Sequence, residues 1–344
     1  MLFNMNAQLN LQQHMDSKLL GSILEMSPLD SFLSVGGALR GKNVVFTSDD
    51  KSLVPLGRWK NDIHTFSEVP INPIPASKEP SIVCGTDSSC IKIAETEDGT
   101  LYAVKCGVVF CLSMQVVLHL RIGPLLFYIT ESTLSGSELD SRLVKVVSFD
   151  SDIAKRMIRI NVERLIQFEL SKLLRGSVIL VDGALKASIF ENRHYNVKKI
   201  LENCALHKNS LLGIGKNTKF KILDMVSGNL RTTNYPAVLD VSFIIKSLVK
   251  NTFGYNTMVK FANNSLVLRA DVAAKDNEEV ISSLGKIRGN DLLPMGYPEC
   301  LSMAHHISCF SNTEIFGIRG HILNNYEVVE LPSHDVRRHL LSSI

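Results

Sequence analysis

The sequence predicts an α/β (α+β) protein, a mixed β-sheet with helices packed on it. Two β-rich runs bracket the Asp98-Gly99 turn signal, a hairpin pattern. A long stretch of helical periodicity begins at Asp150 and ends at Gly176. A continuous apolar run, Val178 to Val181, follows it and leads straight into Asp182 and a glycine. A meander followed by alternating helix and strand builds such a sheet.

Taken in order, residues 8 to 26 carry Leu9, Leu11, Met15, Leu19, Leu20, Ile23 and Leu24 at mixed helical spacing, which predicts an amphipathic helix. "EVPINPIPASKEP" holds four of the eleven prolines and predicts an extended connector. It divides an N-terminal arm (1–77) from a main domain (78–344). "SIVCGTDSSCIKIA" and "LYAVKCGVVFCL" are the hairpin strands, and a third run, 115 to 129, completes the meander. After the Asp182 strand come a polar helical stretch near 189 to 207 and the apolar "LLGIG". "VLDVSFIIKSLVKN" and "YPECLSMAHHISCF" both read as helical.

Composition sets the class. The chain of 344 residues is 45% hydrophobic and 21% charged, with a net charge of +3. That balance allows a local DNA-binding patch but not a protein that coats nucleic acid by bulk charge. Seven scattered cysteines without a C-x-x-C pair predict neither a zinc site nor a disulfide framework, and a reducing compartment. The N-terminus lacks a signal-peptide pattern. The most apolar window is broken by Gln115, His119 and Arg121, which argues for strands and against a membrane span. A soluble, cytoplasmic protein is the expectation.

One motif is a decoy. "GGALRGKN" has the spacing of a phosphate-binding loop, but Asn43 stands where Ser or Thr should hold magnesium, and a strand-like run follows where a helix should.

The carboxylates carry more. Asp182 ends a buried strand, and Asp87 follows a short apolar run in the same way. An ionised carboxylate in such a place needs a turn, a basic side chain or a metal ion to satisfy it. The helix before Asp182 offers Glu163 and Glu169. From Ser177 to Asp182 the strand climbs about 17 Å at roughly 3.3 Å per residue. About 17 Å back along the helix from Leu174, at roughly 1.5 Å per residue, is about eleven residues. That step lands on Glu163. Glu169 lies about halfway down, although it falls nearer the middle of the apolar stripe of Ile158, Val162, Leu165 and Leu173. Glu163 is preferred for a solvated site; the plainer reading is a surface charge opposite Arg159 or Arg164. Converging carboxylates make a hard oxygen site for Mg²⁺ or Mn²⁺, ions that support phosphodiester cleavage.

These residues, taken as "TDSS", "VERLIQFEL", "ILVDGAL", "LLGIGKNT" and "YPECLSMAHHIS", resemble in order and wording the NurA nucleases of archaea and some bacteria, over about residues 80 to 320. The resemblance implies an RNase H-like core, a homodimer, and a Mn²⁺- or Mg²⁺-dependent deoxyribonuclease using two ions. It implies 5′→3′ exonuclease and single-strand endonuclease activity on DNA ends and single strands. The implied setting is end resection in double-strand break repair, beside a HerA-type hexameric ATPase. It also implies that Asp87, Glu163 and Asp182 ligate metal, that Tyr297 and His305 complete the catalytic set, with His305 also a ligand, and that Lys216 contacts DNA. The family has glycine directly after the first aspartate, in what reads as a loop, where this chain has Ser88, so the resemblance bears on that loop's backbone conformation. "GKNT" also departs from the family's lysine-threonine-serine wording.

The C-terminal pair has a physical reading as well. Pro298 suits the first turn of a helix, with His305 one turn beyond Leu301; His306 is the competing choice. A histidine there binds metal or protonates a leaving oxygen, and a tyrosine positions phosphate. Lys155, Arg156, Arg159, Arg164, Lys198, Lys199, Lys216 and Lys219 are available for backbone contacts, which would be salt-dependent. The runner-up is a catalytically weak homologue serving as a DNA-binding or ATPase-docking adaptor.

Overall fold

A computed structural model describes residues 28–46, 69–135, 141–216, 223 and 226–331. The helix expected over 8–26 lies outside the described residues. The chain begins with α1 (Pro28–Leu39), β1 (Asn43–Phe46) and β2 (Ile71–Pro73). The meander follows as β3 (Val83–Glu95), β4 (Gly99–Leu112) and β5 (Gln115–Thr130). Then come α2 (Glu131–Ser135), α3 (Ser141–Phe149), α4 (Ser151–Leu173), β6 (Val178–Asp182), α5 (Val197–Leu206) and β7 (Ser210–Gly215). The remainder is α6 (Gly228–Thr232), β8 (Ala237–Asp240), α7 (Ser242–Leu248), β9 (Tyr255–Lys260), β10 (Val267–Val272), α8 (Asn277–Asn290), α9 (Glu299–Ser308), α10 (Asn312–Asn325) and β11 (Val329–Glu330).

β3, β4 and β5 pair antiparallel around the Asp98-Gly99 turn, and β6 and then β7 add in parallel on the far side of β3. The order β5-β4-β3-β6-β7 is the RNase H-like arrangement, mixed in direction and flanked by helices. β10, β9, β8 and β2 extend the sheet beyond β7, each antiparallel to its neighbour. β1 pairs with the far end of β3.

The unbroken apolar run of β6 is explained by burial on both faces. Ile179 and Val181 pack with Ile158, Val162, Ile166 and Leu170 of α4. Val178 and Leu180 pack with Leu284 of α8 and Leu301 of α9. α4 starts where Asp150 accepts from the backbone N–H groups of Asp152 and Ile153, a side-chain cap.

Two expectations are corrected. "VLDVSFIIKSLVKN" is not one helix: Val238, Leu239 and Asp240 belong to β8, paired with β9 and β2, before α7 begins at Ser242. Cross-strand pairing outweighs a helical reading of an apolar run this short. Ser88 is not in a loop but inside continuous β3, paired with Cys106 of β4. The decoy sits in the end of α1 and the start of β1, helix before strand, the reverse of a phosphate-binding loop. No helix among the described residues is long and apolar enough to cross a membrane.

Candidate active site

The site lies where β6 stops and β3 runs on. The last β3–β6 pair is Thr86 with Val181, so Asp87 and Asp182, each one residue further, stand at the same level on adjacent strands. β1 joins β3 only at Ala94. The β3 edge between is a notch in the sheet. Gly183, in the left-handed region at φ 107°, turns the chain away directly after Asp182.

Asp87 faces α9. Its cross-strand partner is Gly107, where a Cβ atom would come within 2.3 Å of the Ala304 carbonyl oxygen. Only glycine admits α9 so close, and the next residue, His305, then reaches Asp87: Nδ1 to Oδ2 is 2.7 Å. His306 packs edge-on against the His305 ring. The Asp87 side chain is only 5% exposed, whereas His305 is half exposed at the rim.

One residue on, the pleat turns Ser88 to the opposite face, toward α4. Its hydroxyl donates to Glu163 Oε1 at 2.5 Å. Arg159, one turn earlier on α4, brings Nη2 to 3.4 Å from Glu163 Oε1 and 3.8 Å from Asp87 Oδ1. Burial pushes the Glu163 carboxyl above its ordinary range, against the opposing pull of Arg159 and the Ser88 hydroxyl. Arg164 does not face Glu163; it donates to Glu191 at 2.7 Å. Glu169 pairs with Lys172.

Asp182 has a separate retinue. Tyr297 donates to Oδ1 at 3.3 Å and Lys216 to Oδ2 at 3.5 Å, with the Lys216 ammonium 4.8 Å over the Tyr297 ring. Burial, reinforced by the Asp182 charge, raises the Tyr297 phenol well above its usual range, so it keeps its proton and acts as a donor. The motif beyond Lys216, including Lys219, lies outside the described residues.

The structure thus brings all six sequence-derived residues to one region, but not as a single ligand set. Among the described residues no three His, Cys, Asp or Glu side chains stand together as a metal-binding group. Instead, Asp87 and Glu163 share Arg159, and Asp182 is held by Lys216 and Tyr297. Ser88 and the bridging position of Arg159 went unassigned from sequence. The four-residue spacing of Arg159 and Glu163 was the available signal for the ion pair. A cavity of about 570 Å³ opens beside them, lined by Arg156, Arg159, Glu163, Asp182, Lys186 and Phe190 among others.

No protein-family model matches the chain, and neither does any curated protein sequence. Solved structures do. The NurA nuclease from Sulfolobus solfataricus aligns at 14% identity over 74% of this chain and 88% of its own, with a TM-score of 0.46. A NurA structure with manganese aligns at 12% identity over 76% and 92%, TM-score 0.42. Ciona intestinalis Endonuclease V in complex with DNA aligns at 17% identity over 71% and 89%, TM-score 0.38. At such identities and scores the likeness assigns no residue a role. The chain is similar in fold to these nucleases over about three-quarters of its length.

Proposed function

We propose that this chain is a divalent-metal-dependent deoxyribonuclease that hydrolyses phosphodiester bonds at DNA ends and in single strands. The observation that carries the reading is the pair Asp87 and Asp182, level on adjacent strands of an RNase H-like sheet, with Glu163 beside them and basic residues lining the adjoining cavity. The finer reading is 5′→3′ resection in DNA repair by a homodimer working with a HerA-type hexameric ATPase.

The donors fit Mn²⁺ or Mg²⁺ by their chemistry. Three carboxylates supply hard oxygens and His305 an imidazole nitrogen. Among the described residues, the cation already shared by Asp87 and Glu163 is Arg159, whose side chain is 46% exposed and sits on the cavity wall. Asp87, Glu163, Asp182 and His305 would hold the metal. When bound, such ions stabilise charge on phosphoryl oxygens and make water nucleophilic near neutral pH. The other residues supply position and protons. Tyr297, held protonated, offers its hydroxyl to an oxygen beside Asp182. Where the carboxylates alone hold the metal, His305, oriented through Nδ1 by Asp87, would instead offer its other ring nitrogen as a proton donor to a leaving oxygen. Lys216, Arg156 and Lys186 attract backbone phosphates without reading bases.

A second reading, a DNA-binding or ATPase-docking adaptor, draws support from the same ion pairs, because carboxylates neutralised by Arg159 and Lys216 need no metal. One experiment separates them. Asp182→Asn and Glu163→Gln should each abolish Mn²⁺-dependent cleavage of labelled DNA, and Asp182→Asn should also lose the gain in melting temperature that wild type shows with Mn²⁺. Glu169→Gln should cut normally. Wild-type cleavage by Asp182→Asn would end the proposal that Asp182 is catalytic, and a chain that binds DNA but never cuts it would favour the adaptor.

A further inference from the structure

Arg159 is placed unlike any other cation described around the site. Its Nη2 lies between two carboxylates from different elements, 3.4 Å from Glu163 Oε1 on its own helix and 3.8 Å from Asp87 Oδ1 on β3. Its Nε is 3.4 Å from the Ser88 hydroxyl, the group that also holds Glu163. The second of these distances is beyond hydrogen-bond range, so the attraction to Asp87 is through charge rather than a formed bond. The guanidinium therefore neutralises the pair without saturating it.

Its exposure matters as much as its position. Arg164, the neighbouring arginine on α4, is 8% exposed against a Glu191 that is 5% exposed, a pair locked inside the protein. The side chain of Arg159 is 46% exposed and borders the cavity, so it has solvent to move into. Asp87, at 5%, does not.

We infer that Arg159 is the resident counter-cation of the Asp87–Glu163 pair, which a divalent ion displaces on binding, so that this one side chain sets the metal affinity of the site. The inference rests on the metal-dependent reading above and adds to it a positioning residue. In the metal-free protein Arg159 keeps two neighbouring carboxylates together that would otherwise repel. On metal binding the guanidinium is driven off by like charge and turns into the cavity, where Arg156 and Lys186 already favour phosphate.

The test is calorimetric titration of the full chain with Mn²⁺ alone, without DNA. Arg159→Gln should bind Mn²⁺ about tenfold more tightly than wild type, which corresponds to about 1.4 kcal/mol. Arg159→Lys should fall between them, because a single ammonium cannot span both carboxylates as the guanidinium fork does. Without metal, Arg159→Gln should melt below wild type, since the carboxylates have lost their cation. A merely structural arginine would lower the melting temperature without tightening Mn²⁺ binding, and that result overturns the inference. Equal or weaker binding by Arg159→Gln in a protein whose wild type binds Mn²⁺ and cuts DNA removes the role of Arg159 alone. Absence of Mn²⁺ binding in all three chains removes the metal-dependent reading and this inference with it.

Discussion

Two buried aspartates on this sheet, Asp271 on β10 and Asp87 on β3, are handled in opposite ways. Asp271 is fully buried and saturated: Arg269 donates to both oxygens at 2.9 and 2.8 Å, Asn256 to Oδ1 at 2.8 Å, and the Leu185 backbone N–H to Oδ2 at 3.0 Å. Asp87 is nearly as buried, yet it has one short contact, to a half-exposed histidine, and a guanidinium at 3.8 Å. A carboxylate that only has to be stable closes its shell with groups from its own surroundings. One that leaves capacity open, in a notch of the sheet beside a cavity, is placed to take a ligand.

The largest effect expected from this contrast is on stability. Asp271→Asn removes the charge that Arg269 was buried against, and the arginine side chain is only 11% exposed. Breaking such a pair costs about 3 kcal/mol or more. Asp87→Asn, measured without metal, should cost about 1 kcal/mol or less, because Asn still accepts from His305 and the repulsion with Glu163 is relieved. Urea unfolding of both variants measures the difference. Equal losses would break the contrast and make Asp87 an ordinary structural carboxylate.

How much of this is legible in sequence depends on whether the signal is local. The hairpin at Asp98-Gly99, the helix capped by Asp150 and the strand at Val178 are written in short-range periodicity and turn chemistry, and the structure has them. β8 was misread because Val238 to Asp240 is short and apolar, and only its partners on β9 and β2 make it a strand. At the site, Glu163 was selected over Glu169 by counting levels along a helix and a strand joined by a short link. The structure places Glu163 against Ser88 and turns Glu169 to Lys172. What could not be counted was contact across elements. That Gly107 admits α9, or that Ser88 rather than a loop glycine meets Glu163, follows from how β4 and α9 stack, and no spacing within one segment encodes it.

A smaller effect sharpens the contrast through pH. Burial raises the Glu163 carboxyl above its ordinary range in the folded protein, with Arg159 and Ser88 opposing. A group raised in this way favours the fold below its unfolded pKa, and that contribution is lost as pH rises through the folded value. Glu163→Gln cannot ionise and escapes the loss. Its stability relative to wild type, measured without metal, should therefore climb as pH increases from below the glutamate range toward neutrality. A flat difference would mean that ionised Glu163 is as well served as Asp271, and that the site is closed.

The smallest effect separates saturation from burial. Asp98, at the turn between β3 and β4, is as well partnered as Asp271. Lys42 donates to both oxygens at 2.6 Å, Tyr128 to Oδ1 at 2.6 Å, and Thr96 to Oδ1 at 3.1 Å. The Lys42 ammonium, then the Tyr128 hydroxyl, hold its carboxyl down at about 2. Taken at face value that shift would stabilise the fold by more than 2 kcal/mol, at about 1.4 kcal/mol per unit. The side chain is 54% exposed, however, so water screens the pair and the net contribution should be at most about 1 kcal/mol. A depressed carboxyl stabilises the fold above its unfolded pKa, and the contribution is lost as pH falls from about 4 toward about 2. Asp98→Asn should therefore be slightly less stable than wild type at pH 7 and indistinguishable from it near pH 2. A loss at pH 7 as large as that of Asp271→Asn would show that partners alone decide the energy. A small loss leaves burial as the factor that makes the saturated shell of Asp271 indispensable and the open shell of Asp87 a site.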